Sequence, residues 1–314
     1  MTPTERPTSF DNTMLVQFAT CQRKFYLFQL GLEARETPAY FTFGRIWQQA
    51  KEVWYLTKGG VAERLGAALV FAERAWQDSG SPEAGKNNIE NLKFMLTMYA
   101  IEYETEPWEI ILHEGRMELG FEFPLEGTDW MLSGAIDGYI DWKPYGKLVL
   151  EAKTSGVSLT DSYMAQWGFS SQISQYYWGL TQLLGEPPFG VLMDCAWKGV
   201  SDKAKLAFKK SFEVPEGVFA RNLEKRSGFK LKEFEETTRL LIEDIYQAFD
   251  RQAWSKTKSV IECTGGIGKS PCQFRRLCLA DEYPWNMSEE QLIGSDLKFR
   301  DGPWEPWRRG GKEE

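Results

Sequence analysis

The sequence has 314 residues, 42% hydrophobic and 26% charged, which is the balance of a folded, water-compatible chain long enough for one large domain or two ordinary ones. No run approaches the ~20 apolar residues of a membrane span, and the opening Met-Thr-Pro-Thr-Glu-Arg-Pro-Thr-Ser has no apolar stretch, so a cytoplasmic chain with no membrane contact is expected. The 37 Lys and Arg against 45 Asp and Glu leave a net charge of −8, which excludes a general basic coat for nucleic acid and requires any such contact to be local or metal-assisted.

Residues 1–12 are polar. Met14 to Leu30 spaces Leu15, Phe18, Ala19, Phe25 and Leu30 among polar residues, the pattern of one amphipathic helix or two short ones. Phe43 to Leu56, Ala62 to Trp76 and Ile89 to Tyr103 read as further helices, punctuated by Gly59-Gly60 and Ser79-Gly80-Ser81-Pro82. The texture changes near Pro107. Glu109 to Phe123 alternates like a strand. Trp130 to Trp142 and Lys147 to Thr154 are apolar runs around Lys143-Pro144-Tyr145-Gly146, a hairpin signal. Ser162 to Leu184 predicts a long helix, closed by Gly185 and two prolines. Phe189 to Trp197 and Ala204 to Val214 read as a second strand pair, and Phe229 to Trp254 as a helix. The order predicts one integrated α/β domain: a helical N-terminal region over 1–105, a core over 106–215, a helix and cysteine region over 216–285, and a Trp-rich tail over 286–314. Trp304 and Trp307 in that tail suit partner contact and packing onto the domain equally.

From Trp197 to Lys232, ten Lys or Arg stand against four acids. A solvated surface and a phosphate-facing patch both fit this run. Five cysteines in a reducing setting do not suggest structural disulfides. Cys263, Cys272 and Cys278 crowd together, which suggests a metal or an iron–sulfur cluster; buried small side chains are the plainer alternative. Cys195 sits in the apolar run Val191 to Trp197 and reads as core. A single His113 leaves little room for imidazole catalysis.

Gly134-Ala135-Ile136-Asp137 precedes Leu148-Val149-Leu150-Glu151-Ala152-Lys153-Thr154. Alternate strand residues share a face, so Glu151 and Lys153 point together and the hairpin brings Asp137 alongside. Two carboxylates and an ammonium then converge at a sheet edge. Hard oxygen ligands with room left for water suit Mg²⁺, and Lys153 is placed to hold a water or offset charge. The acid-x-Lys element alone is weak, since Asp141-x-Lys143 and Asp296-x-Lys298 also occur, and an exposed Glu–Lys pair would explain it. Downstream, Gln172 and Tyr176 are four apart and share a helix face; they suit phosphate contact and base stacking, or an ordinary helix with a partly buried Tyr.

With Asp137, Glu151-x-Lys153 and Gln172-x3-Tyr176 in that order, the chain resembles the PD-(D/E)XK nuclease superfamily, in particular its RecB-type branch with CRISPR-associated and AddB-like exonucleases. The resemblance spans roughly residues 9 to 280. It implies a restriction-endonuclease-like α/β fold, a mixed central sheet flanked by helices. It also implies a Mg²⁺- or Mn²⁺-dependent DNA exonuclease on single strands or ends, serving repair, recombination or phage DNA processing. Asp137 and Glu151 would bind the metal, Lys153 would assist the water, and Gln172 and Tyr176 would position the strand.

In that branch one cysteine on an N-terminal helix joins three near the C-terminus. Cys21-Gln22-Arg23-Lys24 takes the first place here, and Cys263, Cys272 and Cys278 the others, which implies a 4Fe-4S cluster, with zinc as the rival. Two departures stand out. Gln48 occupies the place where many relatives have a metal-ligating His. Eight residues, Thr264 to Pro271, separate the first two C-terminal cysteines where relatives often have two, which leaves the cluster type open. Relatives often add an acid on the preceding strand, and Glu118 and Glu122 are both candidates. The alternative in another class is a DNA-binding recombination accessory protein with the same fold and little or no cleavage.

Overall fold

The structure is a computed structural model, and residues 6–265, 270–294 and 296–308 are described. In chain order the elements are β1 (Ser9–Phe10), α1 (Asn12–Thr20), α2 (Gln22–Gln29), β2 (Leu32–Ala34), α3 (Ala39–Leu56), α4 (Val61–Asp78), α5 (Ile89–Glu102), β3 (Glu109–Ile110), β4 (Leu119–Pro124), β5 (Met131–Ile136), β6 (Gly138–Trp142) and β7 (Gly146–Ser155). There follow α6 (Asp161–Ala165), α7 (Ser171–Leu184), β8 (Gly190–Trp197), α8 (Asp202–Ser211), β9 (Phe219–Glu224), α9 (Gly228–Arg251), α10 (Val260–Thr264), α11 (Arg275–Leu279), α12 (Glu289–Ile293) and β10 (Leu297–Phe299). The result is the mixed α/β architecture that the restriction-endonuclease-like expectation describes. The chain divides into two units, one of residues 37–119 and 135–226, the other of residues 1–36, 120–134 and 227–314.

The first unit holds a five-stranded sheet in the order β3-β6-β7-β8-β9. β7 and β8 run parallel, and the other neighbours are antiparallel. Helices α3, α4 and α5 bury Trp47, Trp54 and Trp76 in one apolar cluster. Ala68 and Ala72 on α4 are small enough to let its neighbours close over those rings. The parallel pair needs a crossover, which α6, a 3₁₀ turn over Gln166–Phe169 and α7 provide. The side chain of Ser170 caps α7, and Gly185 ends it at φ +70°, a left-handed conformation that favours glycine.

The second unit carries a three-stranded sheet, β1-β5-β4, and the antiparallel pair β10-β2. Asp11 starts α1 by accepting the Met14 N–H at 2.9 Å. Cys21 then takes an extended conformation, so Met14 to Leu30 forms two short helices rather than one. Around α2 and α9 the rings of Phe18, Phe25, Tyr26, Phe249 and Trp254 pack edge to face or tilted. The tail packs onto this unit. Trp304 Nε1 donates to Asp11 Oδ2 at 2.9 Å, and Trp307 is buried.

Some expected elements differ. Ala204 to Val214 is helix, not strand: Val200, Ala204 and Phe208 recur every four residues, and Ser201 caps the helix by accepting the Ala204 N–H. The strand beside β8 is instead β9, whose pattern is masked by Arg221 and Asn222. Glu109 to Phe123 splits at a tight turn closed by His113 and Arg116. Trp130 to Trp142 splits at Asp137 into β5 and β6, which join different sheets.

Candidate active site

Gly138 pairs with Leu150 at the end of β6, so Asp137 falls opposite Glu151, one step past the last pair. β7 is the central strand of its sheet. The carboxylates therefore lie where β6 gives out beside an interior strand, not at a sheet edge as the hairpin alone suggested. Asp137 Oδ2 accepts the Ala152 N–H at 2.9 Å. Lys153 Nζ lies 2.5 Å from Glu151 Oε1. Glu151 is 1% exposed, and its second oxygen, Oε2, has no hydrogen-bond partner among the described residues.

Leaving a carboxylate oxygen buried and unpaired is costly, and the electrostatics reflect this. Burial, and then the neighbouring Glu151 charge, pushes Asp137 up to about 8, against the opposing pull of Lys153, the Ala152 N–H and Lys51. Burial likewise raises Glu151, although Lys153 and Lys51 oppose it. For Lys153, burial favours the neutral amine, but Glu151 and Asp137 outweigh it and hold the ammonium. Two carboxyl groups short of positive charge, one with a bare oxygen, form an oxygen-rich recess suited to a hard divalent cation.

On the α3 side, Lys51 is buried and ion-pairs with Asp194, which lies in register with Ala152. Asp194 also accepts the Tyr99 hydroxyl at 2.5 Å and Arg221 Nε at 3.2 Å. Arg221 in turn meets Glu106 Oε1 at 2.7 Å. Burial pushes the Asp194 carboxyl up, but Lys51 and Arg221 outweigh it and bring it down to about 2. Sequence reasoning missed this network. Its signal was Asp194 itself, a lone acid inside the apolar run Val191 to Trp197. Cys195 is fully buried, and burial pushes its thiol up to about 12, which suits a core residue.

One turn before Lys51, Gln48 Nε2 donates to Glu118 Oε2 at 3.4 Å, whereas Glu122 pairs with Arg308 at 3.5 Å. Of the two candidate acids, Glu118 is the one that meets the residue in the expected His position. On α7, Gln172 Nε2 donates to the Tyr176 hydroxyl at 2.8 Å, so the pair shares a face as its spacing predicts. α7 packs against β7 and β8.

Cys21, Cys263, Cys272 and Cys278 line one cavity with Lys24 and Phe274. None is in a disulfide. Thr257 N–H reaches Cys21 Sγ at 3.4 Å, and Cys272 N–H donates to the Cys263 carbonyl at 3.1 Å. Burial raises the thiols of Cys272 and Cys278. The cavity is about 20 Å³, room for about one water-sized body. Among the described residues, no three His, Cys, Asp or Glu side chains close on a point as a bound metal requires. Residues 266–269 of the loop between Cys263 and Cys272 lie outside the described residues.

The basic run is partly internal. Lys198 is buried against Asn87, Arg221 is committed as above, and Arg226 Nε donates to Ser174 Oγ at 2.8 Å. Lys203, Lys209 and Lys210 on α8 remain exposed.

A mixed sheet whose central strand carries Glu151 and Lys153 beside Asp137 defines a carboxylate–lysine nuclease scaffold. The chain belongs to the PD-(D/E)XK nuclease superfamily, whose family model matches residues 12–279. Among solved structures it is similar in fold to a candidate exonuclease from Eubacterium rectale, at 12% identity and TM-score 0.52, covering 92% of this chain and 94% of that one. It also matches the structure of SSO0001, at 13% identity and TM-score 0.35, over 90% of this chain and 89% of that one. No curated protein matches the chain significantly. Among the described residues, no helix is long and apolar enough to cross a membrane.

Proposed function

We propose that this nuclease is a Mg²⁺- or Mn²⁺-dependent phosphodiesterase acting on DNA, an exonuclease of the RecB-type branch that works on single strands or ends in repair, recombination or phage DNA processing. The observation that carries the metal dependence is Glu151 Oε2, a buried carboxylate oxygen with no hydrogen-bond partner among the described residues, beside a second carboxyl whose proton burial retains. A cation there satisfies both. Asp137 and Glu151 are its ligands, and Gln48, on the Lys51 helix, meets Glu118, the residue before β4. When bound, the ion supplies charge against the phosphodiester and acidifies a water. Lys153 keeps its proton through Glu151 and Asp137, so its ammonium offsets charge developing on the phosphate. Gln172 and Tyr176 already hold each other, which fixes two polar groups for a strand.

The four cysteines fit a thiolate site by donor type and by their shared cavity. We assign them a 4Fe-4S cluster that ties Cys21 to the C-terminal segment. Since no three His, Cys, Asp or Glu side chains among the described residues close on a point, a zinc ion and a cluster alike require the thiols to move.

Labelled single- and double-stranded DNA incubated with Mg²⁺, with Mn²⁺ and with chelator tests the reading. Metal-dependent loss of nucleotides from single strands or ends is the expected result. Tight DNA binding with no cleavage under any metal would instead make the chain a recombination accessory protein.

A further inference from the structure

Arg23 is 6% exposed, and its Nε atom is buried without a hydrogen-bond partner among the described residues. No carboxylate of those residues lies within ion-pair distance of its guanidinium; its charge acts on the Cys278 thiol, and two aromatic rings stand beside it. The guanidinium carbon stands 5.6 Å from the Tyr283 ring centre and 5.3 Å from that of Trp285. These two rings stack on each other at 4.6 Å and 8°. A cation–π contact recovers part of the hydration a buried guanidinium loses, but it supplies no counter-charge. Such a cation is incomplete without an anion.

Arg23 lines an open groove of about 650 Å³, with Arg251, Gln247, Tyr283 and Trp285 on its walls. Arg251 is exposed and spends one Nη on Gln247 at 3.2 Å. Tyr283 is 55% exposed and shares this lining with the two arginines. Asp244 is the single acid on the lining and leaves the groove net positive. An anion alone would use the arginines and leave the ring idle. A planar hydrophobic ligand alone would leave Arg23 unpaired. A nucleotide satisfies both at once, because each unit of a strand carries a phosphate and a flat base. A duplex stacks its bases inside and offers no free face.

We propose that this groove is a single-stranded DNA subsite, with phosphates on Arg23 and Arg251 and a base stacked on the Tyr283–Trp285 pair. That the polymer is DNA rests on the function proposed above; the groove itself rests on its own residues, all within the cysteine-bearing unit. Its role is to retain a strand, separate from the cutting residues.

The test uses the full chain carrying Glu151→Gln, so that DNA is not consumed. Fluorescent oligothymidylate should bind this protein, and adding Tyr283→Ala with Arg251→Gln should weaken binding about tenfold, with a smaller loss for duplex. Photocrosslinking with 5-iodouracil DNA should mark Tyr283 or Trp285. Unchanged affinity together with crosslinks elsewhere would overturn the proposal. Arg23→Gln gives a second reading. Lower DNA affinity at unchanged metal content supports the groove. Lost metal at unchanged affinity would make Arg23 a counter-charge for the thiolates and sink the subsite. The two proposals fail separately: an active wild-type nuclease with an inert groove removes only this one, and a groove that binds DNA in a protein that never cuts removes only the other.

Discussion

The carboxylate of Asp137 is held by the backbone of Ala152, the residue between Glu151 and Lys153, through a 2.9 Å hydrogen bond. The acid at the end of one strand is thus fixed to the acid-x-Lys element of the next by the sheet itself. This link survives exchange of the carboxylate for an amide, which separates charge from position.

Asp137→Asn and Glu151→Gln should therefore abolish metal-dependent cleavage while leaving the fold intact. Each removes a charge at nearly constant volume, and the hard cation needs that charge. In chelator, Asp137→Asn should melt no lower than wild type, because its carboxyl is strained by burial rather than satisfied. Wild-type cleavage in either variant at matched metal would remove the assigned centre. Lys153→Ala should lower kcat far more than DNA affinity, since its ammonium acts on developing charge; equal loss of both would make it a phosphate contact.

Asp194 sets an acid limit on stability. Its folded pKa is about 2, below the ordinary 3.8, so its contribution is complete above the unfolded value and is lost as pH falls toward about 2. The shift corresponds to roughly 2–3 kcal/mol. Asp194→Asn leaves Lys51 and Arg221 buried with less counter-charge and should cost about 3–5 kcal/mol near neutrality. Denaturant melts from pH 7 down to pH 2 should show the gap between variant and wild type closing with acid. A constant gap would mean the ion pairs contribute nothing.

Anaerobically purified protein should be brown, with iron and sulfide bound. Cys21→Ser, Cys263→Ser, Cys272→Ser and Cys278→Ser should each lose the colour and lower the melting temperature. Cys195→Ser should keep it, because that thiol is buried in the core. Zinc found in place of iron would assign the thiolates to a structural zinc ion.

The lysines of α8 can be read by salt. Lys205, Lys209 and Lys210 changed together to Gln should flatten the log–log salt dependence of DNA binding by about 2. Lys205 already leans over Phe94 at 5.6 Å, so its share is the smallest. An unchanged slope would return α8 to plain solvated surface.

How much of this was legible varied with the physics. Helical periodicity located α3, α4, α5 and α9, and the apolar run Lys147 to Thr154 located β7, an interior strand paired on both sides. The carboxylate–lysine grouping was readable because strand alternation and one turn fix it locally. β9 was not, since its Arg221 is justified only by Glu106 and Asp194 from distant segments. α8 was misread as strand because its short apolar set also satisfies a two-residue alternation at Ala204, Leu206 and Phe208. The Arg23 groove had no sequence signature, as it joins side chains more than two hundred positions apart.

The path of the chain between its two units governs how the protein can be made. Residues 37–119 and 135–226 include every member of the carboxylate–lysine site, whereas the cysteine-bearing unit also needs residues 227–314. During synthesis the ribosome therefore releases Asp137, Glu151 and Lys153 before the C-terminal cysteines. At that moment Cys21 has emerged and waits without Cys263, Cys272 or Cys278, and β2 waits for β10. A chain interrupted after residue 226 would hold both carboxylates and Lys153 but, of the four cysteines that line one cavity, Cys21 alone.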